Sequence, residues 1–406
     1  MSASPNPEIA IKTDRIIGHI QGEPKGPTLI FFGGIHGNER SGVTALENVF
    51  QELNTKPLSC KGVVYGIRGN LPALLKGKRF LEKDLNRLWT VPKIDDINNK
   101  PEHQRTVEEK ELIDIHKLIL TILEEEEGPF YFVDFHTTSS KTLPFITIND
   151  ALINRRFSKL FPVPIILGIE EYLDGPLLSY VNQKGYVSLG FESGQHTEDA
   201  AIKNSIAFIW LTMAYSGFMS KTELKNFKEY YSQLQESANR NSNFYEIVYR
   251  HHINDIKEFK MMEGFKSFEI VNEGTPLALE NDEFIKAGKD TILFMPLYQE
   301  QGEEGFFLIR KIPIRVLQLS TFFRRSKLGS MLHVLPGVSW ANQEKKSLLV
   351  NTKIAQFFTK PFFHLLGYRN RILDKNHFIM NNREHTAKNE MYKDTWWYRI
   401  SIRKTF

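Results

Sequence analysis

Short apolar runs alternate with amphipathic stretches along the first half of the chain, which is typical of an α/β protein. Residues 28–32, 62–67, 131–136 and 186–192 are too short for helices and rich in β-branched or aromatic side chains, which favours buried strands. Apolar positions 43, 46, 49, 50 and 53 follow the first run with helical spacing. The pattern therefore predicts strands that alternate with helices.

The first run leads into a turn that carries candidate metal ligands. Gly33 and Gly34 end the run, and His36 and Glu39 follow three residues apart. Glycine allows a tight turn, and open α/β sheets bind ligands at the carboxyl ends of their strands. An imidazole and a carboxylate at this spacing can converge on one cation such as Zn²⁺.

A second strand supplies the third candidate ligand. His136 follows the apolar run YFVDF, so it occupies the same kind of position as His36. Two histidines and one carboxylate leave a fourth position open, which distinguishes catalytic from structural zinc. Asp134 either holds an imidazole by its second nitrogen or only forms a turn at the strand end. His196 is not assigned as a ligand, since a fourth protein ligand would close the site.

Four short motifs together resemble the aspartoacylase and succinylglutamate desuccinylase family, which is related to the zinc carboxypeptidases. They are HGNE at 36–39, DLNR at 84–87, DFHTTS at 134–139 and FESG at 191–194, in family order within residues 15–310. The resemblance implies a mixed, mostly parallel sheet flanked by helices, as in zinc carboxypeptidases, with a second small β-rich domain. It also implies one Zn²⁺ per chain, held by His36, Glu39 and His136.

The resemblance assigns further roles around the metal. Glu192 is expected to be the general base that takes a proton from the attacking water. Arg79 is expected to stabilise the oxyanion that develops on the scissile carbonyl. Asn86 and Arg87 suit a substrate carboxylate, because an arginine fork binds a carboxylate through two hydrogen bonds.

One departure from the family pattern concerns the substrate. Aspartoacylases place another arginine about ten residues before the general base, where it binds a second carboxylate. Here residues 180–184 read YVNQK, and only Lys184 could replace that arginine. Because lysine lacks the planar fork of arginine, the sequence leaves open whether the substrate carries a second carboxylate.

Composition excludes several other classes of protein. The chain has 406 residues, 41% of them hydrophobic and 25% charged, so bulk disorder is excluded and two or three domains are expected. Cys60 is the only cysteine, which excludes an intrachain disulfide. No run reaches the roughly 18 apolar residues of a membrane span, and the N-terminus has no apolar core typical of a signal peptide. We expect a soluble, cytoplasmic protein.

Charge and composition divide the chain into three predicted parts. Residues 1–220 form the zinc-hydrolase catalytic domain, and residues 221–312 form a helical connector and a β-rich capping domain. Residues 313–406 form a basic, aromatic extension that is predicted to be helical. Residues 311–406 contain 18 lysines and arginines but five acidic residues, although the net charge of the whole chain is only +4.

The extension admits two interpretations. Its aromatic pairs Phe322-Phe323, Phe357-Phe358, Phe362-Phe363 and Trp396-Trp397 could belong to a surface for nucleic acid or anionic lipid, or could pack against the body of the protein. Scattered charges and the absence of an RNA-binding signature favour packing, so nucleic acid is not expected as a partner. The extension could also mediate homo-oligomer formation.

The sequence therefore predicts a zinc-dependent hydrolase that removes the acyl group from a small N-acyl amino acid with a free carboxylate. A zinc carboxypeptidase acting on small peptides is the first alternative. The second is a non-catalytic binding protein that uses the basic extension.

Overall fold

The computed structural model describes residues 14–55, 59–326, 332–341, 347–351, 353–355, 365–372 and 377–403. The strands are β1 Ile16–Gln21, β2 Glu23–Gly33, β3 Lys61–Arg68, β4 Phe130–Thr138, β5 Phe145–Ile148, β6 Ile165–Leu167, β7 Val187–Gln195, β8 Phe244–His252, β9 Phe259–Met261, β10 Glu269–Val271, β11 Pro276–Glu280, β12 Glu283–Lys286, β13 Thr291–Phe294, β14 Glu304–Lys311, β15 Val338–Trp340, β16 Ser347–Asn351, β17 Tyr368–Ile372 and β18 His377–Asn382.

The main helices are α1 Ser41–Thr55, α2 Leu71–Lys76, α3 Val91–Asn99, α4 Val107–Glu125, α5 Leu152–Ser158, α6 Leu177–Gln183, α7 Asp199–Ser216, α8 Phe227–Ser237 and α9 Ile314–Arg325. Short helices follow at Arg383–Thr386, Asn389–Tyr392 and Trp396–Arg403. Turns of 3-10 helix lie at Leu85–Arg87, Glu102–Gln104 and Ile169–Glu171. In the described part of the chain, no helix is both long and apolar enough to cross a bilayer.

One large sheet organises the protein. In the described residues its eleven strands follow the order β1-β3-β2-β4-β7-β5-β6-β8-β14-β13-β10. Pairing is parallel from β3 through β2 and β4 to β7, and again from β5 through β6 to β8. It is antiparallel at β1, between β7 and β5, and beyond β8. The predicted mixed α/β fold with a sheet flanked by helices is confirmed.

Strand β2 is apolar without interruption from Leu29 to Phe32, where both of its faces are buried. Leu29 and Phe31 belong to the core that contains residues of α1 and α7, whereas Ile30 and Phe32 belong to the core that contains residues of α4. All four side chains are at most 1% exposed. Strand β2 therefore packs against helices on both sides of the sheet, which fixes the position of its carboxyl end.

Two glycines shape that carboxyl end. A Cβ atom on Gly33 would lie 2.8 Å from the backbone nitrogen of Val43, so only glycine lets β2 approach α1 this closely. Gly34 has a φ of +76°, in the left-handed region that favours glycine. The predicted tight turn is present, and it carries the chain directly into His36.

The β-rich segment continues the large sheet. Strand β8 pairs in parallel with β6 and antiparallel with β14, so one sheet runs through both predicted domains. A separate three-stranded sheet, in the order β12-β11-β9, packs beside it around a small core. The domain boundaries at residues 220 and 312 remain a prediction.

The extension beyond residue 312 requires a correction, because it is not simply helical. Strands β15, β16, β18 and β17 form an antiparallel sheet in that order. Leu348 and Val350 of β16 are at most 5% exposed, while Leu349 between them is partly exposed, which is the alternation of a strand with one buried face. Phe357-Phe358 and Phe362-Phe363 lie outside the described residues.

The end of the extension returns to the body of the protein. Tyr392 and Trp397 are at most 2% exposed and belong to the core of the large sheet. The Tyr392 hydroxyl accepts a hydrogen bond from the Val187 backbone nitrogen at 2.9 Å and donates one to the Phe130 carbonyl oxygen. Tyr392 thus bridges the amino ends of β7 and β4, at the edge of the sheet opposite the candidate site.

Candidate metal and active site

The three predicted metal ligands meet at the carboxyl ends of two neighbouring strands. His36 and Glu39 follow β2, and His136 lies near the end of β4, which pairs with β2. The Nδ1 atoms of His36 and His136 each lie 2.9 Å from a different oxygen of Glu39. One ligand atom from each residue lies within 4.8 Å of the others, and all three side chains are buried.

Two further carboxylates hold the outer nitrogens of the imidazoles. The Nε2 atom of His36 lies 3.0 Å from Oδ1 of Asp84, and the Nε2 atom of His136 lies 2.8 Å from Oδ2 of Asp134. An ionised carboxylate can only accept, so Nε2 is the donor in each of these two pairs. Each Nδ1 faces an oxygen of Glu39, the third proposed ligand. This is the arrangement in which a histidine offers its other nitrogen to a metal.

The electrostatics of this cluster favour a bound cation. Burial raises the pKa of Glu39, but His36 and His136 outweigh burial and hold that pKa well below its ordinary value. Burial lowers the pKa of His136, and the charges of Asp134 and Glu39 raise it well above its ordinary value. Carboxylates outnumber the imidazoles here, so the buried donor set of two imidazoles and a carboxylate fits a divalent metal.

Arg79 lies beside the ligands. Its Nη1 atom donates to Oε1 of Glu39 at 3.3 Å, and its Nη2 atom donates to Oδ2 of Asp84 at 3.1 Å. Burial lowers the pKa of Arg79, but the charges of Asp84 and Glu39 raise it above its ordinary value. Arg79 is therefore a fixed positive charge at the edge of the metal cluster.

Asn86 and Arg87 are presented by a single turn of 3-10 helix. Asp84 precedes this turn, and its Oδ1 atom accepts a hydrogen bond from the Asn86 backbone nitrogen at 2.9 Å. The Asn86 side chain accepts from the backbone nitrogen of Leu177 at 2.9 Å. Arg87 donates through Nη2 to Oε2 of Glu304 at 2.9 Å. Asp84 thus connects the metal cluster with the two residues predicted to bind a carboxylate.

Glu192 lies on β7, where it pairs in register with His136 of β4. Burial raises the pKa of Glu192 to about 7. Its Oε2 atom is buried and has no hydrogen-bond partner among the described residues. A buried carboxylate with an unused oxygen and a raised pKa is suited to exchange a proton with a molecule in the cavity.

One cavity of about 130 Å³ brings all of these side chains together. Its lining includes the seven residues predicted from the sequence as ligands, base or substrate contacts: His36, Glu39, Arg79, Asn86, Arg87, His136 and Glu192. The convergence of these seven side chains on one cavity is a property of the structure.

Comparison with known proteins points to the same family as the sequence motifs. Residues 25–183 match the family model described as "Succinylglutamate desuccinylase/Aspartoacylase catalytic domain". The predicted resemblance to this family is confirmed. The chain is 38% identical over 64 residues to a succinylglutamate desuccinylase of Pseudomonas paraeruginosa, covering 16% of this chain and 19% of that protein. It is 36% identical over 75 residues to the corresponding protein of Photorhabdus laumondii, covering 18% and 22%.

These alignments cover only about a fifth of the length of the curated relatives. Solved structures extend the likeness in fold. A succinylglutamate desuccinylase/aspartoacylase from Rhodobacter sphaeroides has a TM-score of 0.54 at 16% identity, covering 73% of this chain and 88% of that one. A succinylglutamate desuccinylase from Vibrio parahaemolyticus has a TM-score of 0.50 at 16% identity, covering 72% and 85%. At such identities the likeness shows the fold alone.

Sequence reasoning missed residues of the β-rich segment that reach the candidate site. Gln299 accepts from Asn38 Nδ2 at 3.0 Å and lies 3.2 Å from Nε2 of His196. Glu304 pairs with Arg87. No local motif marks these residues, because their partners are more than a hundred positions away in the sequence.

His196 lines the cavity but stands apart from the metal group. Its Nδ1 atom lies 2.7 Å from the hydroxyl of Thr137, and its Nε2 atom faces Gln299. The metal-ligand cluster found among the described residues contains His36, Glu39 and His136 without it. Burial lowers the pKa of His196. We therefore interpret His196 as a neutral residue of the cavity wall.

Proposed function

We propose that this protein is a zinc-dependent hydrolase that cleaves the amide bond of a small N-acyl amino acid. The observation that carries the proposal is the cavity in which His36, Glu39 and His136 converge beside Glu192. The match to a deacylase family model over residues 25–183 supports the same class of reaction.

The ligand set favours zinc over harder cations. Two imidazoles and one carboxylate are ligands that Zn²⁺ accepts, whereas Mg²⁺ and Ca²⁺ prefer oxygen alone. Three protein ligands are also the number found in catalytic zinc sites. When bound, zinc would acidify a water molecule and polarise the carbonyl of the amide.

Glu192 is proposed to act as the general base and then as the general acid. Its buried carboxylate would take a proton from the attacking water and return it to the nitrogen of the leaving amino acid. Burial raises the pKa of Glu192 to about 7, and a nearby divalent cation would lower it, so the carboxylate form that takes the proton is populated at neutral pH.

Two arginines are proposed to hold the substrate. Arg79, fixed by Glu39 and Asp84, would stabilise negative charge on the scissile carbonyl oxygen. Arg87, with Asn86 beside it, would bind the free carboxylate of the amino acid. The 295–304 segment crosses to the catalytic body through Gln299 and Glu304, which supports a small substrate rather than a long peptide.

A hydrolysis screen tests the proposal. Purified protein would be loaded with zinc and assayed against N-acetyl, N-formyl, N-succinyl and longer N-acyl amino acids, with dipeptides alongside. We expect release of a free amino acid from at least one N-acyl compound. The matched control is Glu192→Gln, which preserves the size of the side chain and should abolish release. Hydrolysis of dipeptides alone would instead establish the carboxypeptidase alternative.

A further inference from the structure

The charged residues of the cavity limit how many carboxylates a ligand can carry. Among the described residues that line it, Arg79 and Arg87 are the only arginines, and no lysine is present. Three glutamates also line it: Glu39, Glu192 and Glu304. Asp84 and Asp134, which contact the two ligand histidines, add two further carboxylates at the edge of the site. Apart from a bound divalent cation, the positive charge of the lining is therefore limited to the two arginines, one proposed to bind the ligand's carboxylate and the other the oxyanion.

Each arginine already pairs with a carboxylate of the protein, so beyond the single role proposed for it neither offers a charge to a second carboxylate of the ligand. Arg79 is engaged with Glu39 and Asp84 at 3.3 and 3.1 Å. Arg87 is engaged with Glu304 at 2.9 Å, and the two side chains are only 16% and 11% exposed. Glu304 therefore already neutralises the group that would bind the ligand's first carboxylate. A second carboxylate would enter a partly dehydrated space without a cation and near like charges, which is unfavourable.

Lys184, the residue that could have replaced the missing arginine, lies elsewhere. Its Nζ atom is 5.1 Å from the centre of the Tyr180 ring, and Tyr180 belongs to the core on the α4 side of the sheet. Lys184 does not line the cavity. The second cation expected from the family pattern is thus absent from the lining among the described residues.

Much of the remaining wall is apolar. It includes Ile148, Ile169, Leu173, Leu178, Leu297 and Phe307. Burial of apolar surface favours an aliphatic or aromatic group on the ligand. The neutral side chains of Thr147 and Asn149 can form hydrogen bonds with an uncharged polar group of the ligand.

We propose that the substrate is an N-acyl amino acid with a single carboxylate, whose acyl group and side chain are both uncharged, and that Glu304 sets this selectivity through Arg87. The inference rests on the proposed function, because it names the substrate class of the same site. It places succinyl groups and acidic amino acids outside the preferred substrates.

Pairs of substrates with the same shape test this inference. N-acetylasparagine and N-acetylaspartate differ by one charge, as do the N-succinamoyl and N-succinyl derivatives of leucine. We expect the uncharged member of each pair to have a kcat/KM at least about tenfold higher, since one tenfold step needs only about 1.4 kcal/mol of discrimination. The same order should appear in the dissociation constants of non-hydrolysable analogues of each pair, in which CH₂ replaces the amide nitrogen. Calorimetry on the zinc-loaded wild-type protein, whose cavity keeps Glu192, would measure them.

The Glu304→Gln variant examines the role of the glutamate. Removing its charge should release Arg87 and lower the ratio of the two kcat/KM values in each pair by about threefold or more. A threefold change corresponds to about half of the free energy of a tenfold change. Glu303→Gln is the matched control, because Glu303 is the exposed neighbour of Glu304 and should leave the discrimination unchanged. A purely structural effect of Glu304→Gln would lower the activity on both members equally.

The outcomes separate this inference from the proposed function. Preference for the dicarboxylate members would overturn the inference while leaving N-acyl hydrolysis established. Unchanged discrimination in Glu304→Gln would overturn the role of Glu304. If no N-acyl amino acid were hydrolysed, the proposed function would fail, and the calorimetric ranking would still decide the charge preference. Failure of every pair to bind would overturn both.

Discussion

Asp134 accepts a hydrogen bond from His136 at 2.8 Å, although the two residues are only two positions apart on β4. Side chains at positions i and i+2 of a strand point to the same face, so the strand itself brings the carboxylate beside the imidazole. Asp134 is completely buried. Of the two interpretations that the sequence allows, the hydrogen bond favours a residue that orients a ligand over a turn-forming residue.

We predict that Asp134→Asn weakens zinc binding by about 10- to 100-fold, the usual effect of removing an outer carboxylate from a histidine ligand. Asparagine has the same size, but its amide is a poorer partner for the Nε2–H group. Competition with a chromogenic chelator would measure the affinity. Asp114→Asn, on the exposed face of α4, is the control and should bind zinc as the wild type does. Equal affinities in the two variants would contradict this role of Asp134.

Glu192→Gln should lower kcat by about 10²- to 10⁴-fold, the range ascribed to general acid-base catalysis, while the zinc content stays unchanged. The base works as a carboxylate, so the wild-type rate should rise with pH until Glu192 is ionised. Burial raises its pKa to about 7, and a nearby divalent cation would lower it. We therefore expect the pH–rate profile of the wild type to have an acidic limb with its midpoint at or below about pH 7. Persistence of that limb in Glu192→Gln would assign it to another group.

Arg87→Ala should raise KM more than it lowers kcat, because the lost contact is made in both the bound substrate and the transition state. Hydrogen bonds to charged groups contribute about 1.5–3 kcal/mol, which corresponds to an increase in KM of roughly 10- to 100-fold. The same substrate with its carboxylate converted to an amide serves as the control. If the variant affected both substrates alike, Arg87 would not be the carboxylate contact.

Tyr392→Phe should lower the free energy of unfolding by about 1–3 kcal/mol, since it leaves buried groups at Val187 and Phe130 without their partner. Chemical denaturation would measure the change. Tyr231→Phe is a suitable control, because Tyr231 is partly exposed and its hydroxyl makes no hydrogen bond with the described residues; its loss should change stability by less than about 0.5 kcal/mol. If Tyr392→Phe also changed the free energy of unfolding by less than about 0.5 kcal/mol, the contact of the extension through Tyr392 would contribute little to stability.

The sequence predicted the parts of the site that lie at strand ends. His36 and His136 each follow an apolar run, and parallel strands bring their carboxyl ends to one edge of the sheet. Helix α1 also has the predicted spacing of buried residues, from Val43 to Leu53. These features are local, so they can be recognised from the pattern of the chain.

The contacts that cross between segments could not be predicted in this way. Glu304 is 217 positions from Arg87, and no periodicity relates them. The sheet of the extension was missed because strands β15 to β18 are only three to six residues long and alternate weakly. Tyr392 likewise depends on a docking arrangement that only the folded structure defines.

Metal analysis of the purified protein tests the central claim most directly, since every proposed role depends on one ion held by His36, Glu39 and His136. Mass spectrometry of protein prepared without chelators should find about one equivalent of zinc per chain, as three-ligand catalytic sites hold. The His36→Ala and His136→Ala variants should each lose it while remaining folded. Less than about a tenth of an equivalent in wild-type protein supplied with zinc, where a site of this kind should be filled, would contradict the account.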